Sequence, residues 1–362
     1  MFPGVDVAGF VSGTAVFAGG AIVFREVGER EEWNALVREF GGSALQSWEW
    51  GEFRREGGWR PLRLAAGPGS APVGAAQVLL KSLPGLGSFA YVPYGPVFGP
   101  EGTDAVEGLV GELAERVKEE GAILLTVEPR AQEGVSLGEG FVKTDSVQPR
   151  CTFVLEVLED EEKQLAALPK DTRYGVRRAR KQGVTAGMSR DVGADLERFM
   201  DLLEETAERQ SFALRPREYY RRFMKTLPAA LIVARREGEE ELLAGAIVLT
   251  FGEEAVYLYG ASTREGENLY ASYLTQFTAL SVARERGVLR YDLGGIPCAP
   301  AESHPLFGVY RFKKKFGGRE ERYVGSHERR LRPLRAGLAR AGIGGYYTLQ
   351  RLRGRGPGPI SD

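Results

Sequence analysis

Seven consecutive residues, Phe312-Lys313-Lys314-Lys315-Phe316-Gly317-Gly318, hold the densest chemistry in the chain. Three ammonium groups lie between two aromatic rings and end on two glycines. Fixed positive charge beside an apolar anchor suits an anionic ligand such as a phosphate or a pyrophosphate. The same pattern also describes an edge strand guarded by lysines. Read as a strand, it puts Phe312, Lys314 and Phe316 on one face and Lys313 and Lys315 on the other. A buried-looking strand, Tyr291-Asp292-Leu293-Gly294-Gly295-Ile296-Pro297, precedes it. Asp292 on that strand stands either to orient a lysine or to serve as a structural partner.

Other residue types recur at useful spacings. Lys170, Arg173, Arg177 and Arg180 or Lys181 repeat with a helical period and make one basic face. Such a face follows RNA phosphates, or is simply solvated. Between Arg329 and Arg355 the chain carries eight arginines and no acidic residue, a composition that suits RNA or an anionic lipid leaflet. Arg215 and Tyr219 are four residues apart, on one helical face if Pro216 starts the helix. Tyr257 and Tyr259 alternate along a strand and so share a face, either lining a cleft or packing in the core. Thr103 or Asp104 stands where a helix cap is expected.

The elements that must position these groups come in two sets. In the first half, strands are expected over 61–66, 74–80 and 89–97, then a helix over 103–120 and a strand over 121–127. The helix rests on the spacing of Val106, Leu109, Val110, Leu113 and Val117. In the second half the order recurs, with strands over 230–234, 245–249 and 255–260, a helix over 271–286 and a strand over 287–293. Helical segments at 36–40 with 48–53, and at 196–207, precede the two sets. Strand runs followed by a helical crossover give a mixed, twisted sheet flanked by helices, and two in tandem point to duplication. The expected division is 1–20 as a disordered extension, 21–147 with 319–350 as the first domain, 148–318 as the second and 351–362 as a flexible tail.

Bulk properties narrow the function classes. At 362 residues two domains are the prior. Lys+Arg 48 against Asp+Glu 49 means that phosphate or nucleic-acid binding must come from local patches. Cys151 and Cys298 form no zinc or Cys-x-x-Cys pattern and no disulfide framework, and a reducing cytoplasm fits. His304 and His327 are the only histidines, which argues against a catalytic triad or a histidine-rich metal site. Residues 1–20 are apolar and glycine-rich, but they lack a basic leader and contain Asp6. No other stretch reaches the ~18 apolar residues needed to cross a bilayer.

Six segments taken in order resemble the Fem family of peptidoglycan bridge-forming aminoacyltransferases. They are Gln46-Ser47-Trp48-Glu49-Trp50-Gly51-Glu52-Phe53, Tyr94-Gly95-Pro96-Val97, the run from Arg177 to Val184, Tyr257-Leu258-Tyr259-Gly260-Ala261-Ser262, the strand Tyr291 to Pro297, and Phe312 to Gly318. The similarity runs from about Ile22 to Val324, and the chain lacks the charged heptads of a coiled-coil arm.

The resemblance implies an α/β (α+β) protein with two tandem domains of the acetyltransferase (GNAT) fold. It implies transfer of an amino acid from aminoacyl-tRNA to the stem peptide of UDP-MurNAc-pentapeptide or a lipid-linked precursor, with no cofactor and no metal. By resemblance Arg215 contacts the diphosphate and Tyr219 bonds nearby. Lys313, with Phe312, either stabilises the oxyanion of ester aminolysis or holds phosphate. Asp104 resembles an acidic position that could take the amine proton, besides its capping role. Trp50, Tyr94, Tyr257, Tyr259 and Lys315 complete the expected substrate contacts. Lys170, Arg173, Arg177, Arg180 and Lys181 are expected at the tRNA. The expected location is cytoplasmic, with peripheral contact at the inner face of the membrane.

Ordinary acetyltransferases hold coenzyme A with an Arg/Gln-x-x-Gly-x-Gly/Ala loop at a helix start. Neither repeat has one there. The match at Arg351-Leu352-Arg353-Gly354-Arg355-Gly356 has no following helix. An acyl-CoA-dependent N-acyltransferase and a non-enzymatic precursor- or tRNA-binding protein stand as the competing readings.

Overall fold

Short β-branched and aromatic runs, each bounded by turn residues, build two sheets of the same design. The computed structural model describes residues 16–17, 20–68, 72–99, 106–210 and 214–339. The first sheet contains β1 (Val16–Phe17), β2 (Gly20–Glu26), β3 (Arg60–Pro68), β4 (Gly74–Leu83), β5 (Gly87–Val92), β6 (Val97–Phe98), β7 (Ala122–Val127) and β8 (Phe141–Lys143). The second contains β9 (Cys151–Glu156), β10 (Val184–Met188), β11 (Ala229–Arg236), β12 (Ala244–Phe251), β13 (Glu254–Ser262), β14 (Arg290–Ile296) and β15 (Arg319–Arg322). The chain then returns to the first sheet as β16 (His327–Arg330).

Spatially the strands run β2-β3-β4-β5-β7-β16-β8 in one sheet and β10-β11-β12-β13-β14-β9-β15 in the other. Each order has three antiparallel steps, one parallel step and two more antiparallel steps. A parallel step needs a crossover. It is α3 (Val106–Glu119) between β5 and β7 and α9 (Ala271–Glu285) between β13 and β14. The expected repeat is therefore present, as two mixed sheets flanked by helices. The strand beside each parallel pair differs in origin. In the second sheet it is β9, from the start of that half; in the first it is β16, from far downstream.

The remaining helices are α1 (Arg30–Glu39), α2 (Trp48–Glu56), α4 (Glu161–Ala167), α5 (Lys170–Lys181), α6 (Val192–Gln210), α7 (Arg217–Thr226), α8 (Arg264–Asn268) and α10 (Phe307–Lys314). A final helix covers 333–339. Helices α1, α2, α6 and α7 lie between the sheets around one shared core. It joins Trp33 and Phe53 of the first half to Phe199 and Phe223 of the second. The Phe53 and Phe223 rings meet edge to face, 5.7 Å between centroids. Burial of such rings contributes about 2–3 kcal/mol each, so the halves are held together by more than their linker. Two further cores cover the outer faces, one under α3 and one under α5 and α9.

Four expectations are corrected. The lysine-rich segment is not a strand: α10 runs through Lys314, so Phe312 and Phe316 sit one turn apart, with rings 5.2 Å apart. Lys313 is consequently buried while Lys314 and Lys315 are exposed. Val16–Phe17, expected in a disordered extension, pairs with β2; residues 1–15 and 351–362 lie outside the described residues. Cys151 and Cys298 form a disulfide, because Cys151 pairs with Ile296 across β9 and β14 and Cys298 follows two residues later. Arg319–Arg322 pairs with β9 in the second sheet, and the chain rejoins the first sheet only at His327.

Candidate active-site cleft

The candidate site begins where α2 packs on α7, with Phe53 against Tyr219 and Phe223. Ser47 caps α2 by accepting the Trp50 amide at 3.1 Å. That start turns Trp50 and Phe53 inward and leaves Arg54 at the edge of the shared core. The Arg54 guanidinium lies 5.1 Å from the Trp59 ring centre and 5.9 Å from that of Trp50. Its Nε and the Trp50 indole nitrogen are buried with no hydrogen-bond partner. Burial lowers the pKa of Arg54, and Arg215 and Arg222 lower it further by repulsion. On the facing helix Pro216 stands at the start of α7, as expected, and the exposed Arg215 before it lies 6.0 Å from the Tyr219 ring centre. Arg222 leans over Phe53 and pairs with Glu56. Among the described residues no carboxylate pairs with Arg54 or Arg215.

Tyr259 joins this wall. Its hydroxyl donates to that of Tyr219 at 3.4 Å, and its ring meets Tyr220 edge-on. Tyr257 does not share its face, contrary to expectation. A register shift between Ile247 and Val248 pairs Ile247 with Tyr259 and Val248 with Tyr257. This bulge resets the alternation. Tyr259 therefore packs into the shared core and Tyr257 into the outer one.

Tyr257 forms one side of the Lys313 pocket. Strands β13 and β14 pair only from Glu254 to Val256 and then part. The buried Lys313 ammonium occupies the opening, 5.4 Å from the Tyr257 ring centre, and donates to the Gly295 carbonyl at 2.9 Å. No other hydrogen bond engages its three N–H groups among the described residues. Burial pushes its pKa down to about 8, partly offset by Asp292. Asp292 bonds not to the lysine but to Thr152 and to the Gly294 amide. Gly294 has φ +75°, and a side chain there would collide with the Tyr257 carbonyl. Asp292 thus holds the backbone turn that presents the carbonyl of Gly295. Its carboxyl is pushed up by burial and by Glu254.

A buried network ties the two halves together beside this turn. Arg130, just past β7, donates two 2.7 Å hydrogen bonds to Glu254 and also bonds the Tyr323 hydroxyl. Its guanidinium lies 5.6 Å from the Tyr94 ring centre, and Tyr94 donates to the Pro149 carbonyl. Two positions earlier, buried Glu128 accepts from Tyr91 and from the amides of Val147 and Gln148. Burial raises its pKa.

On the outer side, α5 presents Lys170, Arg177 and Lys181 to solvent. Arg173 is spent on the carbonyls of Ala166 and Leu168, and Arg180 pairs with Glu161. Rings connect α5 to α10: Tyr174 meets Tyr270, Tyr270 meets Tyr273, and Tyr273 meets Phe312. Lys315 reaches the Tyr273 hydroxyl at 3.3 Å.

The structure thus gathers Trp50, Arg215, Tyr219 and Tyr259 where α2 meets α7, and Tyr257 and Lys313 at the parting of β13 and β14, while Phe312 packs against Tyr273 and Phe316 on the outer side. Tyr94 is at the junction. Lys315 lies on the outer side with the α5 cations. Asp104 lies outside the described residues. Sequence reasoning missed Arg54, Arg130 and Glu128. Arg54 was legible in principle, one helical turn after Trp50; Arg130 and Glu128 are revealed only by their cross-sheet partners.

The profile of the FemAB family matches residues 29–143, 138–235 and 229–341. The chain belongs to the FemAB family. A relative from Staphylococcus aureus, a lipid II:glycine glycyltransferase, is 24% identical over 79% of this chain and 88% of its own length. The protein of the same description from Staphylococcus saprophyticus is 25% identical over 76% and 85%. Among solved structures, the crystal structure of FemX superposes with a TM-score of 0.76 at 23% identity, covering 86% of this chain and 98% of that one. A C-terminal domain of a putative lysylphosphatidylglycerol synthetase from Agrobacterium fabrum reaches 0.50 at 13% identity, over 83% and 91%. Membership of the FemAB family accounts for the order of the six motifs.

Proposed function

We propose that this FemAB protein moves an amino acid from aminoacyl-tRNA to the stem peptide of a diphosphate-bearing peptidoglycan precursor. The observation that carries the reading is the pair Arg54 and Arg215. One comes from each half, neither has a carboxylate partner among the described residues, and they repel each other beside Trp50, Trp59, Tyr219 and Tyr259. Two uncompensated guanidiniums call for a dianion, and flat rings suit the uracil or sugars of a precursor. The reading treats the two sheets as two domains meeting near residues 147–151, with the acceptor between them. The two staphylococcal relatives are named for transfer of glycine to lipid II, and the reading takes a precursor of that class as the acceptor.

In the transfer, the stem-peptide amine attacks the ester carbonyl carbon of the charged tRNA. A C–N bond forms, the C–O bond to the ribose breaks, and the amine proton ends on the departing ribose hydroxyl. The intermediate is a tetrahedral oxyanion. Lys313 brings an ammonium with unused N–H groups to the parting of β13 and β14. Near neutral pH most of it is charged, so it suits an oxyanion more than a base. Asp292 is a positioning residue: it holds the turn that presents the Gly295 carbonyl to Lys313. The donor RNA is assigned to the outer side. Exposed Lys170, Arg177, Lys181, Lys314 and Lys315 flank the rings running from Tyr174 to Phe312. Work at the inner face of the membrane belongs to the same reading. No described helix is long and apolar enough to cross a bilayer.

The test is a transfer assay with purified protein, a panel of charged tRNAs, and UDP-linked and lipid-linked precursors. Release of free tRNA with a lengthened stem peptide is expected. No transfer in any combination, or coenzyme A binding with acyl-CoA-dependent transfer, overturns the reading.

A further inference from the structure

The helix over 333–339 has two apolar faces. Ala336 and Ala339 are buried against Ile123 and Leu124 of β7. Leu334 and Leu338, one turn apart, point the other way and are 88% and 65% exposed. Isolated exposed leucines are ordinary, but Leu334 is the most exposed large apolar side chain among the described residues, and with Leu338 one turn on it forms one stripe. Arg330, Arg332 and Arg335 flank the stripe and are all exposed. No acidic residue occurs from Arg329 to Arg355.

This helix is connected by packing to the arginine pair of the cleft. The cluster that Ala336 and Ala339 close also holds Phe89. Phe89 meets Trp59 at 6.0 Å between ring centres, and Trp59 lies 5.1 Å under the Arg54 guanidinium. One continuous set of contacts therefore runs from the cationic, leucine-bearing helix to the proposed diphosphate site.

We infer that this helix is a docking surface for an anionic bilayer, and that it brings the cleft to a precursor whose diphosphate lies at the headgroup level. Leucines that enter the acyl boundary, ringed by arginines at the phosphates, make the chemistry of a peripheral membrane contact. An RNA would pair with the arginines but has no use for the leucines. The inference rests on the proposed acceptor class and deepens it, assigning a lipid-linked rather than a free nucleotide-linked precursor as the acceptor in place.

The test uses the full chain with vesicles of phosphatidylglycerol or of phosphatidylcholine at 0.1 M salt. Wild type is expected to sediment with the anionic vesicles and not the neutral ones. The pair Leu334→Asp and Leu338→Asp should lower that binding at least tenfold, and Arg332→Glu with Arg335→Glu should act likewise. Melting temperature should stay within about 2 °C, since both leucines are exposed. The leucine variant should lose about tenfold in transfer to a precursor embedded in vesicles, and keep transfer to a UDP-linked precursor in solution within twofold. Absence of wild-type binding to anionic vesicles, unchanged binding by both variants, or a loss confined to tRNA binding overturns the inference. Vesicle binding as expected with no transfer to any acceptor would instead sink the acceptor reading and leave the docking surface standing.

Discussion

The guanidinium of Arg130, from the first half of the chain, grips the carboxylate of Glu254, from the second, through two 2.7 Å hydrogen bonds. Glu254 begins β13, the strand that carries Tyr257 and Tyr259. Both partners are mostly buried. A buried pair contributes little net stability over an apolar replacement, but removing one member leaves the other charge stranded. Arg130→Met should therefore cost about 3–5 kcal/mol in urea unfolding. The double variant with Glu254→Gln should recover a good part of that loss. Additive losses would show that the two residues do not act as a pair.

Lys313 sets a pH dependence. Its ammonium has a pKa of about 8 in the fold, lowered by burial. If the charged form stabilises the oxyanion, kcat falls as pH rises through about 8. A lysine acting as base would give a rising limb instead. Lys313→Met should lower kcat by ~10²–10³.

The same group has an opposite effect on stability. An unfolded lysine titrates near 10.4, so between about pH 8 and 10.4 the unfolded chain holds more of this proton than the folded one. Stability should rise with pH across that window, and the full penalty is present below it. The penalty is on the order of 3 kcal/mol. Lys313→Met should accordingly raise the melting temperature at pH 7 even as it lowers kcat. A drop in melting temperature would show that the ammonium is well satisfied where it lies.

Gly294 offers a backbone test. Its φ of +75° and its approach to the Tyr257 carbonyl leave no room for a side chain. Gly294→Ala should cost more than 1 kcal/mol and displace the Gly295 carbonyl from Lys313. The alkaline limb of the rate profile should move with it. A variant with unchanged stability and profile would show that this turn does not position the lysine.

Much of this arrangement was legible beforehand. The repeat of three strands, a helix and a strand was carried by periodicity, since each half alternates β-branched runs with one amphipathic helix. Arg215 and Tyr219 were legible because Pro216 fixes where α7 starts. The lysine-rich segment was misread because seven residues cannot distinguish a period of 2 from one of 3.6. Here packing of Phe316 into the outer core decides for the helix. Tyr257 and Tyr259 were misassigned to one face because a bulge leaves no mark in a strand sequence. The Cys151–Cys298 bridge depended on the pairing of β9 with β14 across more than a hundred residues, which spacing alone cannot reveal. Glu128 and Arg130 were invisible for the same reason, as their partners come from other segments.

The most direct measurement is steady-state transfer by Arg54→Met and Arg215→Met, singly and together, with both substrates varied. Each single change should raise KM for the diphosphate-bearing acceptor by about 10–100-fold, the loss of one charge-assisted contact, with KM for the charged tRNA within threefold. The double variant should lose less than the product of the singles if both arginines hold one diphosphate. Unchanged acceptor KM in both single variants, or a rise confined to the tRNA, would contradict an acceptor held between the two halves.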